Sequence, residues 1–203
     1  MKKYAVLHEP GDIVTLAGTR FVVLDVERRG SLPDSLFLLA LESVGASEFG
    51  SSNNYAESDL KKAVDKWLED MGKRGLDNAK LIPREIDLTT LDGSGCYGKL
   101  SVKAAPLTLD EAREYADIIP NAERWCWLAT GWSGPSKSDG DLALYVSSNG
   151  DWGDYFCSSS CGIRPALKAP SILFEDSEAG LDLSKIPTDD LLQEIHRRLA
   201  EKA

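Results

Sequence analysis

Histidine is nearly missing from this chain: there are two in 203 residues, His8 and His196, near opposite ends. His8 lies on the first strand pattern and His196 on the last helical stretch, positions that suit surface residues better than a Ser-His-Asp arrangement or a zinc site. Long apolar runs are missing too. No stretch approaches the length of a membrane span. The opening residues have a basic start, but Glu9, Pro10 and Asp12 cut short any run of signal-peptide length. The expected location is the cytoplasm, with carriage on a virion or release by lysis as the ways out. Positive charge is scarce: 23 Lys and Arg stand against 33 Asp and Glu, a formal net charge of -10. Nucleic-acid backbones and anionic membranes would repel such a chain, so neither is an expected partner. There is no Walker loop, no H-E-x-x-H, no nucleophile elbow and no EF-hand loop.

Cysteine is sparse, with Cys96, Cys126, Cys157 and Cys161. Without a secretory signal, free thiols are the default. Cys126 lies between two tryptophans in a strand pattern and reads as a small buried residue. Cys157 and Cys161 are close enough in sequence for a local disulfide or half of a metal site, although zinc usually takes a tighter pair plus a second pair or histidines.

The chain otherwise reads as one domain with an appendage. Ile13–Leu16 and Arg20–Val26 suggest two strands joined by a hairpin at Ala17-Gly18-Thr19. Ser35–Leu41 is an apolar run suited to a buried strand. Leu60, Val64, Trp67, Leu68 and Met71 recur at helical spacing, predicting a helix from about Glu57 to Met71, capped by Asn54 or Ser58 and ended by Gly72 and Gly75. Leu81–Leu88 alternates like a short extended piece. Gly93-Ser-Gly-Cys-Tyr-Gly98 has the G-x-G-x-x-G spacing, but no helix pattern follows, so it reads as a loop. Thr108-Leu-Asp-Glu111 is a capping box, predicting a helix to about Ile119, stopped by Pro120. Near the end, Pro187-Thr-Asp-Asp190 opens an amphipathic helix with Leu191, Leu192, Ile195 and Leu199 on one stripe. Such a short helix must dock on the domain or pair with another copy. The divisions are residues 1–169, an acidic linker at 170–186, and the helix at 187–203.

Trp125 to Leu167 is the stretch the rest is organised around. It holds four of the five tryptophans among Ser, Gly, Asp, Asn and Tyr, a composition like that of an antibody paratope. It reads as a strand at Trp125–Ala129, a long loop, a strand at Asp141–Ser147, a turn at Ser148–Asp151, a loop, and a last strand at Gly162–Leu167. Trp125, Trp127 and Arg164 are assigned to the interior, the arginine tying loops together. Trp132, Trp152 and Tyr155 are expected at the surface. Asp139, Asp141, Asp151 and Asp154 could hold calcium, but such aspartates are more often turn residues.

The ordered landmarks resemble a group of bacterial and prophage domains over roughly residues 10 to 168. They are Arg20–Val26, Asn54–Leu60 leading into a helix with Trp67-Leu68, the Leu107-Thr108 helix start, Trp125–Thr130, the hairpin at Val146–Gly150, and the G-[IV]-R-P-A-L ending at Gly162–Leu167. That group is similar in turn to C-type-lectin-like folds, including the formylglycine-generating-enzyme type and the variable proteins of diversity-generating retroelements. The resemblance implies an α+β, C-type-lectin-like fold with small antiparallel sheets, two helices and a long irregular loop region, plus the C-terminal helix. It also implies that residues 132–161 correspond to the diversified, ligand-facing segment. The calcium-and-sugar motifs of true lectins are missing.

The leading expectation is a non-catalytic receptor- or surface-recognition module, phage or prophage associated, with no cofactor and with a protein or glycan ligand. The surface would comprise Trp132, Ser136, Asp139, Asp141, Tyr145, Asn149, Asp151, Trp152, Asp154, Tyr155, Ser158 and Ser160. Two other readings compete. One is a structural phage component that forms homo-oligomers through the tail helix. The other is a formylglycine-generating-like enzyme using Cys157 and Cys161, which would need a depressed thiol pKa in an exposed pocket.

Overall fold

A computed structural model describes residues 8–30, 32–137 and 139–174, together with Thr188 and Leu192. Of the linker expected at 170–186, Pro170 ends the last strand and Ser171–Phe174 form a 3-10 turn with Phe174 buried, while 175–186 lie outside these residues, as does the tail helix apart from those two positions. Over the described residues the fold is mixed α+β and mostly strands. Its elements are β1 (Ile13–Leu16), β2 (Thr19–Arg29), β3 (Leu32–Ala40), β4 (Ala46–Glu48), α1 (Asp59–Lys73), β5 (Arg84–Asp87), β6 (Lys99–Val102), β7 (Ala104–Ala105), α2 (Leu109–Glu114), β8 (Cys126–Gly131), β9 (Leu142–Val146), β10 (Trp152–Phe156), β11 (Ser160–Gly162) and β12 (Ala166–Pro170).

Two five-stranded sheets carry the structure, in the orders β1-β2-β3-β12-β7 and β10-β9-β8-β11-β4, with β5 and β6 as a separate pair. The pairings are antiparallel except for β8 with β11, which are parallel. The first hairpin turns through Ala17 and Gly18, both in the left-handed region (φ 46° and 75°) that a tight hairpin demands. The run Phe21-Val22-Val23-Leu24 is buried throughout, because both faces of the first sheet are covered. Phe21, Val23 and Leu38 join the core around α1. Val22, Leu24 and Leu39 join a second core with Leu109 and Ala112 of α2. Continuous rather than alternating burial is what a two-sided strand requires.

α1 starts where its caps dictate. Asn54 caps the preceding 3-10 turn, and the Ser58 hydroxyl accepts from Lys61 N–H at 2.9 Å. The capping box is present in full, the Glu111 carboxylate accepting from Thr108 N–H at 2.8 Å. α2 is shorter than the sequence predicts. It ends at Glu114, and Ile118 and Ile119 both donate to Tyr115 O in a turn. Pro120 disfavours the helical conformation at the residue before it.

The stretch expected to run as loop from Asp151 to Ser160 is different as well. Residues 152–156 form β10, paired with β9 in unbroken register from Trp152↔Val146 to Phe156↔Leu142. The Gly162–Leu167 strand is in fact two. β11 ends at Gly162 in the second sheet and β12 begins at Ala166 in the first, so Ile163-Arg164-Pro165 is the crossing between sheets.

Candidate functional site

The second sheet is held in place by buried polar anchors. Trp127, buried as expected, donates from Nε1 to Ser47 O at 2.9 Å and meets Phe49 edge to face at 5.6 Å, tying β4 to β8. Asn53 is also buried. Its amide donates to Ser133 O (2.9 Å) and Leu142 O (3.0 Å), and its carbonyl accepts from Tyr97 Oη (2.6 Å). A Cβ at Gly131 would lie 2.8 Å from Asn53 Cγ, so the strand can pass this amide only as glycine. The residues leading into the glycine-rich loop pack beside it, with Leu91 N–H donating to Gly131 O and Asp92 N–H to Trp132 O. Its end leads into β6 rather than a helix. Asp92 pairs with Lys137 at 2.5 Å, which holds the Asp92 carboxyl well below its usual range.

On this frame stands an aromatic group. Trp125 and Tyr145 stack in parallel, with centroids 4.6 Å apart and planes 5° from parallel. Tyr155 meets both edge on, at 5.8 Å and 6.3 Å. The register explains the meeting. Tyr145 lies opposite Gly153, and a Cβ there would come within 2.8 Å of the Tyr145 ring carbon bearing the hydroxyl. The missing side chain lets the ring lie across the strand, which is how aromatics cover edge glycines. Burial pushes the Tyr145 hydroxyl pKa up, and Asp154 adds to the shift. Trp125 is 43% exposed, which corrects its assignment to the core: it precedes β8 and lies beyond the cover that buries Trp127.

Trp125 and Tyr155 form one wall of an open cleft of about 510 Å³, with Glu123, Arg124, Ser148, Ser160, Cys161 and Gly162 completing it. That volume falls in the range of small-ligand sites. The rim offers one acid, one base and two hydroxyls, with aromatic faces beside them. A second cavity of about 230 Å³ lies between the first sheet and α2. Its cations are already paired, Arg84 with Glu111 and Lys168 with Glu27, so it reads as a charged seam of the fold.

The structure does not gather all twelve residues expected at the surface. Tyr155 and Ser160 line the cleft, and Tyr145 backs it through its ring contacts with Trp125 and Tyr155. Trp152 and Asp154 fall on the other face of β10 by strand alternation, and the Arg113 guanidinium lies 5.6 Å above the Trp152 ring. Asn149 and Asp151 are engaged within the hairpin turn, where Asn149 Nδ2 donates to Asp151 Oδ2 at 2.6 Å. Ser136, Asp141 and Ser158 are exposed and Asp139 half-buried, none lining the cleft. Trp132 is half-buried against the second core, a correction to its expected exposure. Among the described residues no group of three or more His, Cys, Asp or Glu could hold a metal ion. Sequence reasoning missed Glu123, Arg124 and Ser148; the available signal was their adjacency to Trp125 and to the Asn-Gly turn.

Among the described residues, no helix is long and apolar enough to cross a membrane. No family model, curated protein or solved structure matches this chain.

All four cysteines are free, and only Cys96 is exposed. Burial pushes the Cys157 thiol up to about 12, with Asp141 adding to it, and the Cys161 thiol up to about 11. Cys126 is likewise pushed up to about 11. These shifts run opposite to what a nucleophilic or redox pair needs. A thiol of pKa near 11 is ionised in only ~1 molecule in 10⁴ at pH 7. Iodoacetamide at pH 7 should therefore label one cysteine, Cys96, readily in the native protein. The slow class should speed up about tenfold per pH unit as thiolate forms, until the pH nears the raised pKa values. Intact-mass counting of adducts against time checks this, and rapid double labelling including Cys157 and Cys161 would contradict it.

Proposed function

We propose that this chain is a non-catalytic ligand-binding module of C-type-lectin-like architecture, taking a protein or glycan ligand in the cleft beside Trp125, Tyr145 and Tyr155. The observation that carries the reading is the exposed Trp125 ring, stacked in parallel on the half-buried Tyr145 and closed edge on by the exposed Tyr155. A domain gains little by leaving such rings in water, whereas recognition surfaces are enriched in Tyr and Trp beside hydrogen-bonding groups. Flat aromatic faces also suit the apolar C–H face of a sugar ring, with Arg124, Glu123, Ser148 and Ser160 placed for its hydroxyls. The lectin-like reading of the fold is supported by β12, the last strand among the described residues, pairing with β3 from the first hairpins, and by the irregular segment between β8 and β9. Prophage association rests on the resemblance of the ordered motifs.

The test is capture by purified protein on a glycan array and on bacterial and animal cell surfaces, with and without calcium. The Trp125→Ala/Tyr155→Ala double variant should lose capture by about tenfold or more, since aromatic anchors dominate such interfaces. Its melting temperature should move little. Undiminished capture by that variant, or no capture of anything by the native protein, would sink the proposal.

A further inference from the structure

The outer edge of the second sheet carries a feature the cleft does not use. β10 is an edge strand. Its ladder with β9 continues at both ends, Cys157 N–H donating to Asp141 O and Ser147 N–H to Asp151 O, each at 2.7 Å. This phase makes Tyr145–Gly153 and Ala143–Tyr155 the hydrogen-bonded pairs. The N–H and C=O groups of Trp152, Asp154 and Phe156 therefore point out of the sheet. The Phe156 carbonyl accepts from Ser159 N–H at 2.8 Å, which leaves the other five without a strand partner among the described residues.

Natural proteins guard such edges with lysine, proline, bulges or brevity. β10 has none of the first three, and it is longer than the edge strands β1, β4 and β7. It also exposes apolar rings at both ends, Trp152 at 41% and Phe156 at 56%. Its single guard is a negative charge, Asp154, on the same face as those two rings.

We propose that β10 is a docking strand that takes up an extended peptide bearing a basic side chain opposite Asp154 and apolar side chains opposite Trp152 and Phe156. Backbone hydrogen bonds to the outward groups supply affinity, and the alternating side chains supply selectivity. Charge decides the occupant. A second copy pairing antiparallel about Asp154 would set carboxylate against carboxylate and bring together two chains of net charge -10. A basic strand is attracted on both counts. Arg113 over the Trp152 ring already supplies a cation at that end, so the peptide's basic residue belongs at the centre. The inference does not depend on the cleft.

The probe is a fluorescein-labelled peptide, Thr-Val-Thr-Lys-Thr-Val-Thr, titrated with the full chain and followed by anisotropy and by amide shifts. Saturable binding is expected, with shifts concentrated at Trp152, Asp154 and Phe156. A peptide with Glu in place of Lys should bind at least about tenfold more weakly at low salt. Asp154→Pro removes one outward N–H without touching the ladder to β9, and should weaken binding by about tenfold or more. Asp154→Lys keeps the backbone and should reverse the preference towards the Glu peptide. Equal binding of both peptides, undiminished binding by Asp154→Pro, or no saturable binding would overturn the proposal. So would concentration-dependent dimers in sedimentation that Asp154→Pro abolishes, because the occupant would then be a second copy. The peptide titration reads the edge and the cell-surface capture reads the cleft, so the two proposals fail separately.

Discussion

Asn53→Ala should lower the thermal midpoint by roughly 6–12 °C, the equivalent of about 3 kcal/mol in a domain of this size. The side chain is buried and its three hydrogen bonds reach three separate segments: Ser133 in the loop after β8, Leu142 at the start of β9, and Tyr97 in the glycine-rich loop. Its backbone N–H adds a fourth bond, to Gly140 O at 3.1 Å. Truncation leaves the Ser133 carbonyl and the Tyr97 hydroxyl without this partner in a space opened beside Gly131, and water must enter or the loops must shift. Asn53→Asp should cost at least as much near neutral pH, because it sets a carboxylate against two carbonyl oxygens where two N–H donors stood. Differential scanning calorimetry checks both. A shift below about 2 °C for Asn53→Ala would mean that the loops are held without this amide.

Arg164→Ala should cost a similar ~3 kcal/mol, and the comparison with Arg164→Met gives the number its meaning. The guanidinium is buried where the chain crosses between sheets. It donates from Nε to Ala40 O at 2.7 Å and from Nη1 to Pro120 O at 2.9 Å. Burial pulls its pKa down, while Cys126 and Glu42 push the other way. The alanine variant loses both bonds and leaves a void among Leu39, Leu107, Ala112 and Cys126. The methionine variant loses the same bonds and the same desolvated charge but fills the void, so it should recover about half of the loss. Urea midpoints at unchanged m-value measure the difference. If the two variants were equally damaging, the carbonyl bonds alone would account for the effect.

Most of the fold could be read from the chain because local rules agreed with the packing. The first hairpin follows from Ala17-Gly18, α1 from its helical stripe and the Ser58 cap, and α2 from the Thr108 box. β10 was not legible for a physical reason. Trp152-Gly-Asp-Tyr-Phe156 contains a glycine and an aspartate and has no apolar alternation, because an edge strand has one side in water and Gly153 is there to clear the Tyr145 ring. Missing that strand concealed a further fact: Trp152 and Tyr155, three positions apart, lie on opposite faces of a sheet and cannot form one patch. Trp125 was misplaced for the complementary reason. Strand alternation correctly puts it on the same face as Trp127, but the cover over that face ends between them. Asn53 gave no signal, since an asparagine before Asn54 at a helix start reads as a cap.

The order in which strands enter the first sheet bears on how the protein is made. β2 and β3 pair as neighbours in sequence, but the strand that lies against the other side of β3 is β12. At ~5–20 residues per second, the ribosome delivers β12 about 125 residues and roughly 6–25 s after β3 has emerged. For that interval the Leu36–Leu39 backbone waits with an open side and apolar neighbours. The second sheet waits similarly, since β11 must insert between β8 and β4. Neither sheet can close until nearly all of the first 170 residues have left the ribosome, so a nascent chain stalled before Ala166 is a sticky half-domain.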